Sequence, residues 1–249
     1  MSAILVILLV LVPAAGLSWA LRCRMEESLP LAIFSMIAAG YLCSIFGALP
    51  LAGALPWLWA AAGAAVLVLG ALRRRQAFTA HLRTMAQGTV LFVGLALLFW
   101  WFCRGHAFTD WDDFSHWGRS VKIMYYSGAL YSVPTAFDDF KSYPPATALF
   151  QYMLLKAARL GFREDLVLYA NALLTAALLV VPCRCLRAAR RLPAAAVLLG
   201  ASLVAILGQY PQYFYRAGVD GLLGVLMAAI LLAEFLPGRT RATPWLTAL

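Results

Sequence analysis

Along this chain the apolar positions come in long blocks, and the polar positions are bunched in the short intervals between them. Mostly apolar runs occupy about 3–21, 29–48, 56–72, 86–103, 166–183, 192–208 and 218–236. Each is close to the roughly 17–25 residues a helix needs to cross a bilayer. The third is the shortest and is entered through a turn bracketed by Pro50 and Pro56. A further apolar stretch, Ala146 to Leu155, follows Tyr143-Pro144-Pro145 and ends in Lys156 and Arg159. Pro145 suits the first position of a helix, and a helix over about 145–160 is too short and too basic at its end to span. It is expected to be re-entrant or interfacial. The pattern therefore predicts an all-α polytopic membrane protein with about seven transmembrane helices, plus interfacial or re-entrant helices in one long connection. Residues 1–85 supply three N-terminal spans as an additional packing layer. Residues 86–249 supply the core, with the connection 104–165 and the later spans within 166–236.

Composition agrees: 63% of residues are hydrophobic and 12% charged, against about 45–50% and about 25% in soluble domains. Only Met1 and Ser2 precede the first run, so the basic segment of a cleaved signal peptide is missing and a retained helix is expected. The net charge of +9 invites a nucleic-acid reading, but its placement answers differently. Arg22 and Arg24, then Arg73, Arg74, Arg75 and Arg83, then Arg184, Arg187, Arg190 and Arg191, then Arg239 and Arg241 follow alternate spans and make up twelve of the 20 basic residues. The positive-inside rule puts these connections in the cytoplasm. The N-terminus and the connections 49–55, 104–165 and 209–217 then lie outside, and no nucleic-acid partner is implied.

The long outer connection holds Asp110, Asp112, Asp113, Asp138, Asp139, Glu164 and Asp165, seven of the eleven acids. After Asp113, the residues Phe114, Trp117, Val121, Met124 and Tyr125 recur at helical spacing, with Arg119 and Lys122 on the other face. That is the pattern of an amphipathic interfacial helix with the aspartates at its N-terminus. Capping explains one aspartate. Three together raise the pKa of at least one of them unless a cation compensates, which makes the cluster a candidate site. Asp112 and His116, four residues apart, share a helical face at a spacing compatible with joint coordination of a divalent metal; a packed or hydrogen-bonded histidine is the bland alternative. The five cysteines lie in spans or at their ends and frame neither disulfides nor a zinc site.

The last outer connection, GQYPQYFYRAGVDG, is aromatic, as expected at a membrane interface. Arg216 and Asp220, four residues apart, either pair with each other or leave Arg216 pointing into the outer cavity as a phosphate ligand. Glu234, near the cytoplasmic end of the seventh run, is expected to snorkel or to pair with an arginine there.

These residues carry a resemblance. An acidic pair directly after a span (WDDFSHWG), a Tyr-Pro-Pro segment (YPPATALFQY) and an aromatic loop ending in an aspartate that opens a span resemble the multispanning C-type glycosyltransferases, GT-C. The likeness is to bacterial relatives of the protein mannosyltransferases and the lipid A aminoarabinose transferases, and it covers about residues 86–236. The resemblance implies an enzyme of the bacterial inner membrane that transfers a sugar from a polyprenyl-phosphate donor to a glycan, lipid or protein acceptor of the cell envelope at the outer face. In such enzymes the loop acid is a general base for the acceptor hydroxyl or helps to hold a metal; no other cofactor is implied. By motif position Asp112 matches the first acid and Asp113 the second, so Asp112 is expected as base, Asp113 as its partner or a substrate ligand, and Asp110 third. Arg216 leads the phosphate-binding candidates, followed by Lys141 and Arg119, with Tyr143 and Asp220 as further substrate contacts.

The terminal TPWLTAL reads as the start of another span that is cut short, where the family continues with further spans, so the chain is expected to be incomplete. Two rivals stand beside the enzyme. A transporter or flippase for a lipid-linked substrate would place charges within its spans, and these spans carry almost none. A noncatalytic or degenerate membrane subunit would use the aspartates only as caps.

Overall fold

A computed structural model describes residues 2–133, 139–159, 161–186, 191–210, 212–235 and 240–248. Asp138, Arg187, Arg190 and Arg239, noted above, lie outside them. Among the described residues the structure is helical without strands: α1 (Ser2–Leu21), α2 (Met25–Ile45), α3 (Leu49–Ala52), α4 (Leu55–Arg73), α5 (Arg75–Cys103), α6 (Trp111–Ser115), α7 (Trp117–Ser127), α8 (Ala146–Ala158), α9 (Glu164–Leu179), α10 (Arg191–Gln209), α11 (Asp220–Phe235) and α12 (Thr243–Thr247). A 3-10 turn, Val181–Cys185, prolongs α9. Five helices are long and apolar enough to cross a membrane: Ala3–Leu21, Met25–Ile45, Leu55–Arg73, Arg75–Cys103 and Glu164–Cys185. The sixth and seventh runs are helical too, but the apolar part of the sixth is Pro193–Gln209 and α11 has 16 residues.

The arginine-bearing connections meet at one end of the bundle. There Arg24 donates to the Arg184 carbonyl, and Trp19, Arg22, Arg73 and Arg74 share one surface hollow. Arg74 is the whole connection between α4 and α5, so Arg75 and Arg83 stand on the first turns of α5 rather than in a loop. The opposite end carries the long connection and its acids.

α1 and α4 touch through glycine. A Cβ on Gly16 would come within 2.5 Å of the Gly63 Cα, and one on Gly63 within 2.6 Å of the Val12 carbonyl oxygen. Small residues let backbones approach where lipid offers no hydrophobic drive to association. Gly63→Val is therefore expected to lower stability by about 1–3 kcal/mol through overpacking, read as a lower melting temperature of the detergent-purified chain; an unchanged melting temperature would show that the contact is dispensable.

α2, assigned by sequence to the N-terminal layer, is a central helix. It packs against α1, α5, α8 and α9, and Glu26 and Glu27 in its first turn are fully buried. Gly88 of α5 makes room for that turn, since a Cβ there would lie 2.6 Å from the Met25 Cβ. Arg184 donates to Glu27 at 2.9 Å, the Thr240 hydroxyl donates to the same oxygen at 2.7 Å, and Gln87 donates to Glu26 at 2.9 Å. Reading the spans as almost free of charge missed this network. It sits at the arginine-rich end of the bundle, not at mid-span.

α8 packs as an end layer. Its first residues, Ala146 and Thr147, face the acidic end. Its last turn returns to that end, where Trp57 donates to the Ala157 carbonyl and Lys156 to the Tyr125 carbonyl. Most of its residues are buried against α2, α7 and α9.

Candidate functional site

The aspartate cluster resolves into three different local roles. Asp110 is the N-cap of α6 and accepts a hydrogen bond from the Asp112 amide at 3.1 Å. Asp113, at the third helical position, completes a capping box by accepting from the Asp110 amide at 3.4 Å. Capping thus engages two of the three aspartates, where the sequence had suggested one. Asp113 also reaches across the fold: it is fully buried, and its Oδ1 accepts from the Ala217 amide at 2.6 Å. That leaves Asp112, whose side chain is 43% exposed.

The expected single amphipathic helix is broken. α6 ends at His116, whose backbone leaves helical geometry, and α7 restarts at Trp117. His116 is buried among the rings of Trp117, Phe140 and Tyr143, and that packing sets the break. Behind it, Gly118 lies under the Phe108 ring, where a Cβ would be 2.4 Å from ring carbon.

The loop that meets Asp113 is moored by α9. Asn171 donates to the Ala217 carbonyl at 2.9 Å, and the hydroxyls of Thr175 and Tyr213 share a hydrogen bond. Phe214 stacks on Phe102 with 5.2 Å between ring centroids. So anchored, the loop delivers Arg216 to the aspartates: its Nη2 is 2.5 Å from Asp110 Oδ1 and 3.9 Å from Asp112 Oδ2. The local Arg216–Asp220 pairing offered by the sequence gives way to this longer-range one.

The electrostatics follow from the partners. The hydrogen bond from Arg216 holds the Asp110 carboxyl below its ordinary range, whereas burial pushes Asp113 up, against the pull of its amide donors. A depressed carboxyl contributes stability above its unfolded pKa, and that stability is lost as pH falls through the lower folded value. Arg216→Met is therefore expected to flatten the acid limb of melting temperature against pH from about pH 5 downward. An acid limb as steep as the wild type would mean that the pair contributes nothing.

Beside the cluster lies a cavity of about 500 Å³ between α2, α9 and α11. Phe34, Ile37, Leu174, Leu178, Leu222 and Leu226 form its apolar wall, and Asp112, His116, Trp117, Tyr143 and Asp220 bring the polar groups. The structure thus assembles Asp112, His116, Tyr143 and Asp220 on one cavity, with Arg216 and Asp110 just behind. It does not bring in Lys141, which is absent from the lining, and it sets Arg119 3.8 Å from the exposed Asp139. Phe34 and Ile37 were missed, because nothing distinguishes them in sequence from other residues of a span. As for a metal, His116 Nδ1 shares a 2.6 Å hydrogen bond with the Ser115 hydroxyl, and among the described residues no three His, Cys, Asp or Glu side chains gather as a metal-holding group.

Fold and site together define a class: an all-helical chain with helices fit to cross a membrane, in which carboxylates and a guanidinium stand at the rim of an apolar cavity. No protein-family model matches the chain, and no curated protein or solved structure matches it.

Proposed function

We propose that this chain is a membrane glycosyltransferase that moves a sugar from a polyprenyl-phosphate donor to an acceptor hydroxyl at the extracytoplasmic face, with Asp112 as the general base. The observation that carries the reading is the conjunction at the cavity: an accessible carboxylate and a guanidinium at the head of an apolar space of about 500 Å³ beside helices of membrane-spanning length. A lipid chain asks for apolar walls, a departing phosphate for a cation, and a hydroxyl nucleophile for a carboxylate within reach.

In the proposed step Asp112 takes the hydroxyl proton as the oxygen attacks the anomeric carbon. The bond from that carbon to the phosphate oxygen breaks, and its electron pair leaves with the polyprenyl phosphate. Arg216 meets the developing charge. Its contacts with Asp110 and Asp112 use Nη2, while a guanidinium carries five N–H donors. Asp110 is then a positioning residue for Arg216, and Asp113 one for the loop. Tyr143 and Asp220 form the remaining polar rim. On this reading α10 and α11 also cross, the N-terminus is outside, and the arginine-rich end faces the cytoplasm of a bacterial inner membrane.

The test offers polyprenyl-phosphate-linked radiolabelled sugars to membranes containing the chain. Label is expected to pass to an endogenous acceptor well above the level of membranes lacking it. Equal labelling in both, with the chain present in amount, would favour the noncatalytic-subunit reading.

A further inference from the structure

The polar residues around Asp112 stand where two apolar cavities meet. The first lies on one side of α11, against α2 and α9. The second, about 360 Å³, lies on the other side, between α9, α10 and α11. Leu178 and Asp220 line both, so α11 is the wall between them. A small polar cleft, with Asp112, Tyr210, Tyr213, Arg216, Asp220 and Gly221 in its walls, joins their heads. It shares Asp112 with the first cavity, and Tyr210 and Gly221 with the second.

The two sides of α11 differ in side-chain size. Leu222, Leu223 and Leu226 face the first cavity, whereas Gly221, Gly224, Ala228 and Ala229 open the second, beside Val225 and Leu232. Gly221 is required by a neighbour, because a Cβ there would lie 2.6 Å from the Tyr213 ring. Gly224 is not: a Cβ would meet nothing within 4 Å. Glycine weakens a helix interior relative to alanine, so what Gly224 provides is width in the groove. The groove is also graded along its length. Gln209, Tyr210 and Asp220 stand at the end that opens into the cleft, and the opposite end runs down to Pro182 and Leu232. A polar head continuous with an apolar trough matches an amphiphile lying along the bundle.

We propose that the acceptor, like the donor, is a lipid, and that its hydrocarbon chain lies in the groove between α10 and α11 while the donor chain lies between α2, α9 and α11. The inference rests on the glycosyl-transfer reading of the site. The acceptor hydroxyl enters the cleft beside Asp112 and gives up its proton there. Its oxygen forms the new bond to the anomeric carbon, and the phosphate leaves on the other side of α11. A soluble glycan or a peptide acceptor would have no use for a second apolar trough sharing its head with the first.

Occupancy, not turnover, is the test, so it fails separately from the transfer reading. The full chain in lipid nanodiscs is photolabelled with an alkyl glucoside bearing a diazirine at its chain end, and the labelled peptides are mapped by mass spectrometry. A polyprenyl phosphate bearing a diazirine is used in parallel. The glucoside is expected to mark groove residues such as Ala205 and Val225, and the polyprenyl probe the opposite wall, including Phe34 and Leu226. Gly224→Leu, whose side chain finds open space, is expected to cut groove labelling by about tenfold through excluded volume while the polyprenyl label is kept; Ala205→Leu, from the α10 side, is a second blocking variant. Groove labelling insensitive to both variants, matched by a diazirine phosphatidylcholine, or absent would overturn the proposal, the last leaving the trough to a second copy of this chain.

Discussion

Asp112→Asn is expected to lower sugar transfer by about 10²–10⁴-fold, the usual contribution of a positioned general base, with the amount and melting temperature of the protein unchanged. The amide is the same size and cannot accept the proton. Fold effects are expected to be small because the Asp112 carboxylate is the least committed of the three: it is 43% exposed and 3.9 Å from Arg216, whereas Asp110 caps α6 and Asp113 holds the Ala217 amide. Asp113→Asn provides the contrast. It weakens the tether between α6 and the loop carrying Arg216, so its activity should fall together with its melting temperature. Transfer in Asp112→Asn within a few-fold of the wild type would remove Asp112 as the base and leave the cluster as architecture.

The largest stability effect is expected at the other end of the bundle. Arg184 and Glu27 have side chains 2% and 0% exposed and sit 2.9 Å apart. Removing one partner of a buried pair strands the other charge, a loss of about 3–5 kcal/mol. Arg184→Met should therefore be strongly destabilised, and adding Glu27→Gln should recover a large part of the loss, because the stranded carboxylate is gone. Thermal unfolding of the single and double variants in detergent measures both. A double variant no more stable than Arg184→Met would show that Arg184 acts through its contacts with the Ala233 carbonyl and Thr243 and not through charge.

The network also explains how the end of the described chain is fastened. Thr240 donates to Glu27, Ala242 and Leu246 are buried, and α12 packs on α2 and α11. Residues 243–247 form one short helix docked on the bundle.

Much of this architecture was legible in the order of residues. A helix in lipid must satisfy its own backbone groups, so the length of an apolar run largely fixes the element: α1, α2, α4, α5 and α9 follow their runs, and α8 follows its shorter one. The gathering of arginines at one end and acids at the other follows from the same alternation. The division of labour among Asp110, Asp112 and Asp113 was not legible. It depends on the Ala217 amide 104 positions away and on Asn171 and Thr175, which look like ordinary span residues until they moor the loop. Nor could the sequence show that Arg216 prefers Asp110 to Asp220, or that Glu27 faces Arg184 across 157 positions. Hydrophobic periodicity is a local signal, fixed by the bilayer and the helix repeat. Which polar group meets which is a property of helix packing, and packing brings together residues whose separation along the chain carries no trace of their contact.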